Sequence, residues 1–215
     1  MTTDKSDAAT EARSSNRRDL FLIIGTLVLV VAASIGLYTA TQQGAIDLPA
    51  LLGTKNKGEL INPPLPIADL PLQRDGQPFD YSAEAKRWTL LVPLAGACDD
   101  ACTQALYLTR QVDAALGRDS NRVRRYLVTT AATLPAPLAQ LLREQHADVT
   151  VLQTSPSAFA DYFGRVAAGA QPPRFYVVDP YGWMRMYYSE RHDGHAVLDD
   201  LKFLVKNSHE TEELE

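Results

Sequence analysis

A mixed-sheet α/β domain behind one membrane-spanning helix is what this chain predicts, and three observations predict it. The uncharged run Leu20 to Ala40 is about 30 Å long as a helix, the thickness of a bilayer's hydrocarbon core. Further on, short apolar runs alternate with stretches of helical periodicity, the pattern of strands joined through helices. The last two strands flank Asp179-Pro180-Tyr181-Gly182, a tight turn that closes the sheet with an antiparallel pair.

The span is justified first. LFLIIGTLVLVVAASIGLYTA carries no charge on any side, whereas a core helix keeps a polar face. A cleaved signal peptide is the closer rival, but its apolar region is shorter, about 7–15 residues. Arg17 and Arg18 precede the run, and Thr41 to Leu52 holds no Lys or Arg. The positive-inside rule then places the N-terminus in the cytoplasm and the bulk of the chain outside it. The expected location is the bacterial inner (cytoplasmic) membrane, single-pass, with a periplasmic C-terminal domain. Disulfides persist in that compartment. The chain divides into a cytoplasmic arm (1–19), a transmembrane helix (20–40), a Pro-rich linker (41–66), the α/β domain (67–207) and an acidic tail (208–215).

Within the domain, Arg74-Asp75-Gly76-Gln77 marks a hairpin between short extended pieces. Lys86 to Pro93 is a buried-type strand. Asp99 to Leu116 has apolar residues at helical spacing and stops at Gly117. Arg122 to Thr129 alternates as a strand, with Val123, Arg125 and Leu127 on one side. Pro135 to His146 is a helix with Pro at its first turn. Val149 to Leu152 is a short strand. Ser155 caps a helix opened by Pro156. Arg174 to Val178 and Trp183 to Ser189 form the closing pair, and His195 to Val205 is the last helix.

Composition excludes one class of partner. The 215 residues carry a net charge of −5, and no basic stripe is present, so nucleic acid is not expected. An apolar fraction of 46% with 22% charged residues is enough to fill a core. Only two cysteines occur, Cys98 and Cys102, too few for a disulfide framework. Both follow the strand that ends at Pro93 and sit where the next helix begins. Two thiols on a helix have Cα atoms about 6 Å apart, within the roughly 4.4–6.8 Å that a disulfide bridges. The helix start favours thiolate, whereas Asp99 and Asp100 oppose it and attract a cation.

Strand, Cys98-x-x-x-Cys102, helix, and the late block Phe175-Tyr176-Val177-Val178-Asp179-Pro180-Tyr181-Gly182 resemble the Sco/SenC family, within the thioredoxin-like superfamily. The membrane anchor, the Pro-rich tether, Trp88-Thr89-Leu90-Leu91 and the final helix strengthen the resemblance, which spans roughly residues 62–206. It implies a thioredoxin-like mixed sheet flanked by helices and a role in maturing the copper centre of cytochrome c oxidase. The implied partner is an oxidase subunit or another copper or thiol assembly protein. Two features depart from the family. Thr103 stands where Pro follows the second cysteine, and the region of the third copper ligand, near Gln171, has no His. Pro173 instead resembles the cis-proline that faces the dithiol in thioredoxin-like enzymes.

Cys98 and Cys102 are therefore the candidate redox dithiol, with Cys98 attacking and Cys102 resolving. They are equally the candidate Cu(I) ligands, since two soft thiolates suit that ion. His192 and His195 are substitute ligands at best, on a loop before the last helix. Zinc would need both cysteines and two imidazoles in tetrahedral proximity, which spacing does not enforce. An inert pair, a general thiol–disulfide oxidoreductase and a redox-inactive docking factor are the alternatives. Arg122, Arg124 and Arg125 read as a solvated strand edge. Tyr181, Trp183, Tyr187 and Tyr188 read as core and edge packing.

Overall fold

The computed structural model describes residues 4–42, 56–166 and 172–208, with side chains in the first stretch described from Leu20 to Ala40. Two compact units divide between Lys55 and Asn56. The first contains α1 (Asp4–Gln42). Its segment Leu20–Ala40 has a mean hydropathy of 2.7 and no buried share. The hydroxyls of Thr26, Ser34 and Thr39 donate to the carbonyls of Ile23, Val30 and Gly36, so these three are satisfied within the helix, as a hydrocarbon environment demands. This apolar helix fits a single-pass membrane anchor.

The second unit is an eight-stranded mixed sheet with helices on both faces. Its strands are β1 (Glu59–Pro66), β2 (Leu72–Arg74), β3 (Gln77–Phe79), β4 (Trp88–Leu94), β5 (Val123–Thr129), β6 (Val149–Gln153), β7 (Phe175–Val178) and β8 (Trp183–Tyr188). The helices are α2 (Asp100–Ala115), α3 (Ala136–Gln145), α4 (Pro156–Phe163) and α5 (Gly194–Asn207). The spatial order is β1-β8-β7-β4-β5-β6-β2-β3. β4, β5 and β6 run parallel, and all other pairings are antiparallel. Asp75 and Gly76 both have positive φ, the two-residue hairpin turn that the Asp-Gly step predicts.

β1 corrects the expected linker boundary. The Pro-rich stretch was expected to extend to residue 66, yet Glu59–Pro66 pairs with β8. Proline cannot donate to a ladder, but an edge strand has one unpaired side that tolerates it. The same prolines blunt that edge against pairing with another chain. Much of the remaining expected linker, and most of the acidic tail, lie outside the described residues.

Strand parity sorts the core into two layers. Leu90, Val92, Leu127 and Val177 face α2, α3 and α5 in one layer. Leu91, Tyr126, Val128 and Tyr176 face α4 and the residues that follow β1 in the other. A bulge in the β7–β8 pairing, between Val177 and Val178, puts Met184 and Met186 in opposite layers.

Two buried polar clusters fix the helices. Arg125, only 2% exposed, lies under α2 and donates to Thr109 Oγ1, to the carbonyl of Leu106 and to Asp148 at 2.9 Å. Its expected place on a solvated edge is corrected by the sheet order, because β5 is interior and position 125 points inward with Val123 and Leu127. Asp200 of α5, also buried, accepts from Lys57 N–H, Gly58 N–H and Tyr188 Oη at 2.8, 2.9 and 2.8 Å. A Cβ at position 58 would lie 2.8 Å from the Tyr188 ring, so only glycine allows this approach.

Candidate dithiol site

β4 leads to the site. Its last residue, Leu94, is followed by Ala95, Gly96 and Ala97, all exposed. The bend is tied to the next strand: Thr130 N–H donates to the carbonyl of Leu94, and Thr130 Oγ1 donates to that of Ala95 at 2.8 Å. Asp99 is the N-cap of α2, and its carboxylate accepts the Cys102 N–H at 2.9 Å. An Asp three residues before the first buried helical position is a start signal. The charge of Asp99 was legible in the sequence as an influence on the thiols, but its cap role was missed.

The cap separates the cysteines. Cys98 precedes the helix, and Cys102 is the third residue inside it. Both were expected on the helix; instead the pair straddles the N-cap, with Cα atoms 5.2 Å apart and a disulfide joining the sulfurs. Cys102 is 8% exposed and belongs to the core layer with Ala105 and Leu106, while Cys98 is half-buried against that layer. An incoming group therefore meets Cys98 first. Thr103 Oγ1 donates to the carbonyl of Asp99 at 3.0 Å and lies 3.9 Å from Cys98 Sγ.

The other candidate positions are placed elsewhere or differently. Pro173 is half-buried just before β7, and its peptide bond to Pro172 is trans. Among the described residues the cis bond is Asn62–Pro63, so the expected cis-proline at 173 is corrected. The physical reason is local. Arg174 N–H already pairs with the carbonyl of Tyr188 at 2.7 Å, so Pro173 enters an extended ladder in the default trans form. Gln171 lies outside the described residues.

His192 is buried, its Nδ1 accepting the Ser189 N–H at 3.0 Å and its ring edge-on to Tyr188. His195 is exposed beside Leu108, Gln111 and Ala115 of α2, well along the helix from Cys102. Neither stands with the sulfurs as a substitute ligand. Among the described residues no group of three or more His, Cys, Asp or Glu is placed to hold a metal. The two sulfurs, once reduced, are the donor set that remains. It fits Cu(I), which accepts two thiolates, better than Cu(II), which favours imidazole.

Arg174 is a further feature that the sequence reading did not single out. Its Nη2 donates to Gln104 Oε1 of α2 at 2.7 Å, which brings a cation two residues past Cys102. No spacing rule links position 174 to 104, because the contact exists only once β7 lies beside β4.

Comparison with solved structures agrees with the topology. The apo Sco1 protein from Thermus thermophilus superposes with a TM-score of 0.55 at 20% identity, over 71% of this chain and 98% of that one. Yeast Sco1 with copper bound gives 0.51 at 17% identity, over 72% and 95%. At these identities the likeness is one of fold, a Sco/SenC-like thioredoxin fold. No curated protein matches the chain by sequence. A family model described as transmembrane-like, thioredoxin-like, C-terminal domain matches residues 88–208, which run from the first residue of β4 to the end of α5. With more than half of its length matched, from the strand that carries the cysteines to the last helix, the chain belongs to the transmembrane-like, thioredoxin-like C-terminal domain family.

Proposed function

We propose that this chain is a membrane-anchored, periplasm-facing thiol–disulfide exchange protein that assists assembly of the copper centre of cytochrome c oxidase. The observation that carries the proposal is the pairing of a half-buried Cys98 with a buried Cys102 across the cap of α2, on a Sco-like fold. Arg17 and Arg18 before the span support the orientation. In the reducing direction, Cys98 thiolate attacks one sulfur of a partner disulfide. A mixed disulfide forms and the partner's other sulfur leaves as thiolate. Cys102 thiolate then attacks Cys98 Sγ and expels the partner's second thiolate. The chain ends oxidised, the partner gains two electrons, and the two cysteine protons pass to its thiols.

Cu(I) cargo is a second reading, supported by the two soft sulfurs and by Asp99 and Asp100 beside them. Reduced Cys98 and Cys102 would hold the ion, and the acidic pair would favour its approach. One set of assays tests both readings. The reduced full-length chain in detergent is mixed with oxidised glutathione, and separately with Cu(I) and a competing chelator. Loss of free thiols that Cys98→Ser abolishes, together with a mixed disulfide trapped through Cys98 in Cys102→Ser, is expected. Failure to exchange would remove the thiol reading, and failure to retain Cu(I) would remove the cargo reading. Unchanged oxidase assembly in cells carrying both Cys→Ser substitutions would leave docking alone as the role.

A further inference from the structure

We infer that Asp99 sets the redox bias of the Cys98–Cys102 pair, holding it toward the disulfide and so making the reduced chain an electron donor; the inference rests on the thiol-exchange reading above. At a helix start, the N–H groups without intrahelical partners stabilise a neighbouring thiolate. Here the Cys102 N–H is engaged by the Asp99 carboxylate at 2.9 Å. The same residue places a negative charge in the chain between the two sulfurs. Both effects weigh on the thiolate and not on the uncharged disulfide.

Two side chains nearby are turned to other acceptors. Thr103 Oγ1, 3.9 Å from Cys98 Sγ, donates to the Asp99 carbonyl. The Arg174 guanidinium keeps its charge and acts against Asp99, but its Nη2 is turned to Gln104, two residues past Cys102. Asp100, exposed in the first turn of α2, adds charge of the same sign. A pair biased toward its disulfide gives up electrons readily once reduced, by the exchange written above with a partner disulfide as oxidant. The partner that fits is a protein whose own cysteines must be returned to thiols.

The test uses the full-length chain in detergent, equilibrated in glutathione buffers of graded ratio, with the dithiol fraction read by alkylation. Asp99→Asn keeps an oxygen to cap Cys102 N–H but removes the charge. It should lower the half-reaction pH of iodoacetamide alkylation by about one unit and, in buffers held above that pH, shift the equilibrium toward dithiol by about tenfold. Asp99→Ala should shift the equilibrium likewise and also lower the thermal midpoint, because the cap is lost. Asp100→Asn, which neutralises an exposed carboxylate that makes no hydrogen bond to either cysteine, should shift it less than about threefold. An Asp99→Asn equilibrium equal to wild type, or equal to that of Asp100→Asn, would overturn the inference. If the wild-type pair fails to exchange with glutathione, the thiol-exchange reading falls. The alkylation profile of the chemically reduced chain still reports whether Asp99 acts on the Cys98 thiolate, so the two failures are distinguishable.

Discussion

The start and the middle of one helical face treat polar atoms in opposite ways. At the start of α2, Cys98 is half-buried, the preceding loop is exposed, and one carboxylate serves as both cap and charge. Two turns further on, Thr109 lies inside a closed network with Arg125, Leu106 and Asp148, and Arg125 Nη2 also reaches His146 Nδ1 at 3.4 Å. The first arrangement leaves a sulfur open to attack. The second gives nearly every Arg125 donor an acceptor, as a guanidinium under a helix must have. The contrast assigns exchange chemistry to the helix start and anchorage to its middle, and substitutions in each should therefore fail differently.

Arg125→Met should have the largest effect. Removing one partner of a buried charged network typically costs about 3–5 kcal/mol. Asp148 is half-exposed, so its ion pair contributes little, and the lower end, about 3 kcal/mol, is expected. The loss comes mainly from the buried acceptors left behind by the guanidinium. Denaturant unfolding of the full chain in detergent measures it, and a change below about 1 kcal/mol would show that the network does not anchor α2.

Asp200→Asn comes next. Hydrogen bonds from Lys57, Gly58 and Tyr188 converge on Asp200 Oδ2; an amide oxygen there lacks the charge that strengthens them, and its NH2 would face the Lys57 N–H, which also donates to Oδ1. A cost of about 2 kcal/mol is expected. Faster amide exchange at Lys57 and Gly58 should accompany it. Unchanged exchange there would mean that β1, not Asp200, holds the start of the domain.

Reading the sequence succeeded where periodicity and local chemistry agree. The Asp75-Gly76 turn, Ser155 before Pro156 and the alternation of β5 each signal structure within a few residues. It failed where the decisive partner is distant. The Pro-rich β1 has no alternation that marks a strand, and it is a strand only because β8 offers an edge. Arg125 was grouped with Arg122 and Arg124 by charge. Its side of the alternation, shared with Val123 and Leu127, was the better guide to burial. At the site, the cysteine spacing located the dithiol, but the disulfide across the N-cap depends on where α2 begins, and the trans bond at Pro173 depends on the pairing of β7 with β8.

Replacing both Cys98 and Cys102 by Ser should cost less stability than either buried substitution. A disulfide closing so short a loop removes at most about 2 kcal/mol of unfolded-state entropy, and Asp99 and Thr130 still hold that loop. About 1 kcal/mol is expected. Faster amide exchange should be confined to residues 95–103, leaving the Arg125 network protected. Loosening that spreads to Thr109 would break the division between the start and the middle of α2.

The smallest effect is a pH slope that belongs to the buried network alone. Arg125 Nη2 can only donate, so His146 Nδ1, 3.4 Å away, accepts and the imidazole is neutral. Burial holds His146 below its ordinary pKa, with Arg125 and Arg110 acting in the same direction and Asp148 opposing. The folded chain thus binds fewer protons at this site than the unfolded chain, whose imidazole titrates near 6.5. This stability is fully present above that value and is lost as pH falls through the folded pKa. Asp113 faces the same network and is shifted upward, by burial first and then by Asp148. Its contribution has the opposite sign, present below its unfolded value of 3.8 and lost as pH rises toward the folded one. The slope nearest 6.5 is therefore that of His146. His146→Gln should flatten the fall in unfolding free energy between about pH 7 and pH 5.5, without moving the glutathione equilibrium of the dithiol. An unchanged slope would place the proton uptake elsewhere, and a shifted dithiol equilibrium would show that the start and the middle of α2 are coupled.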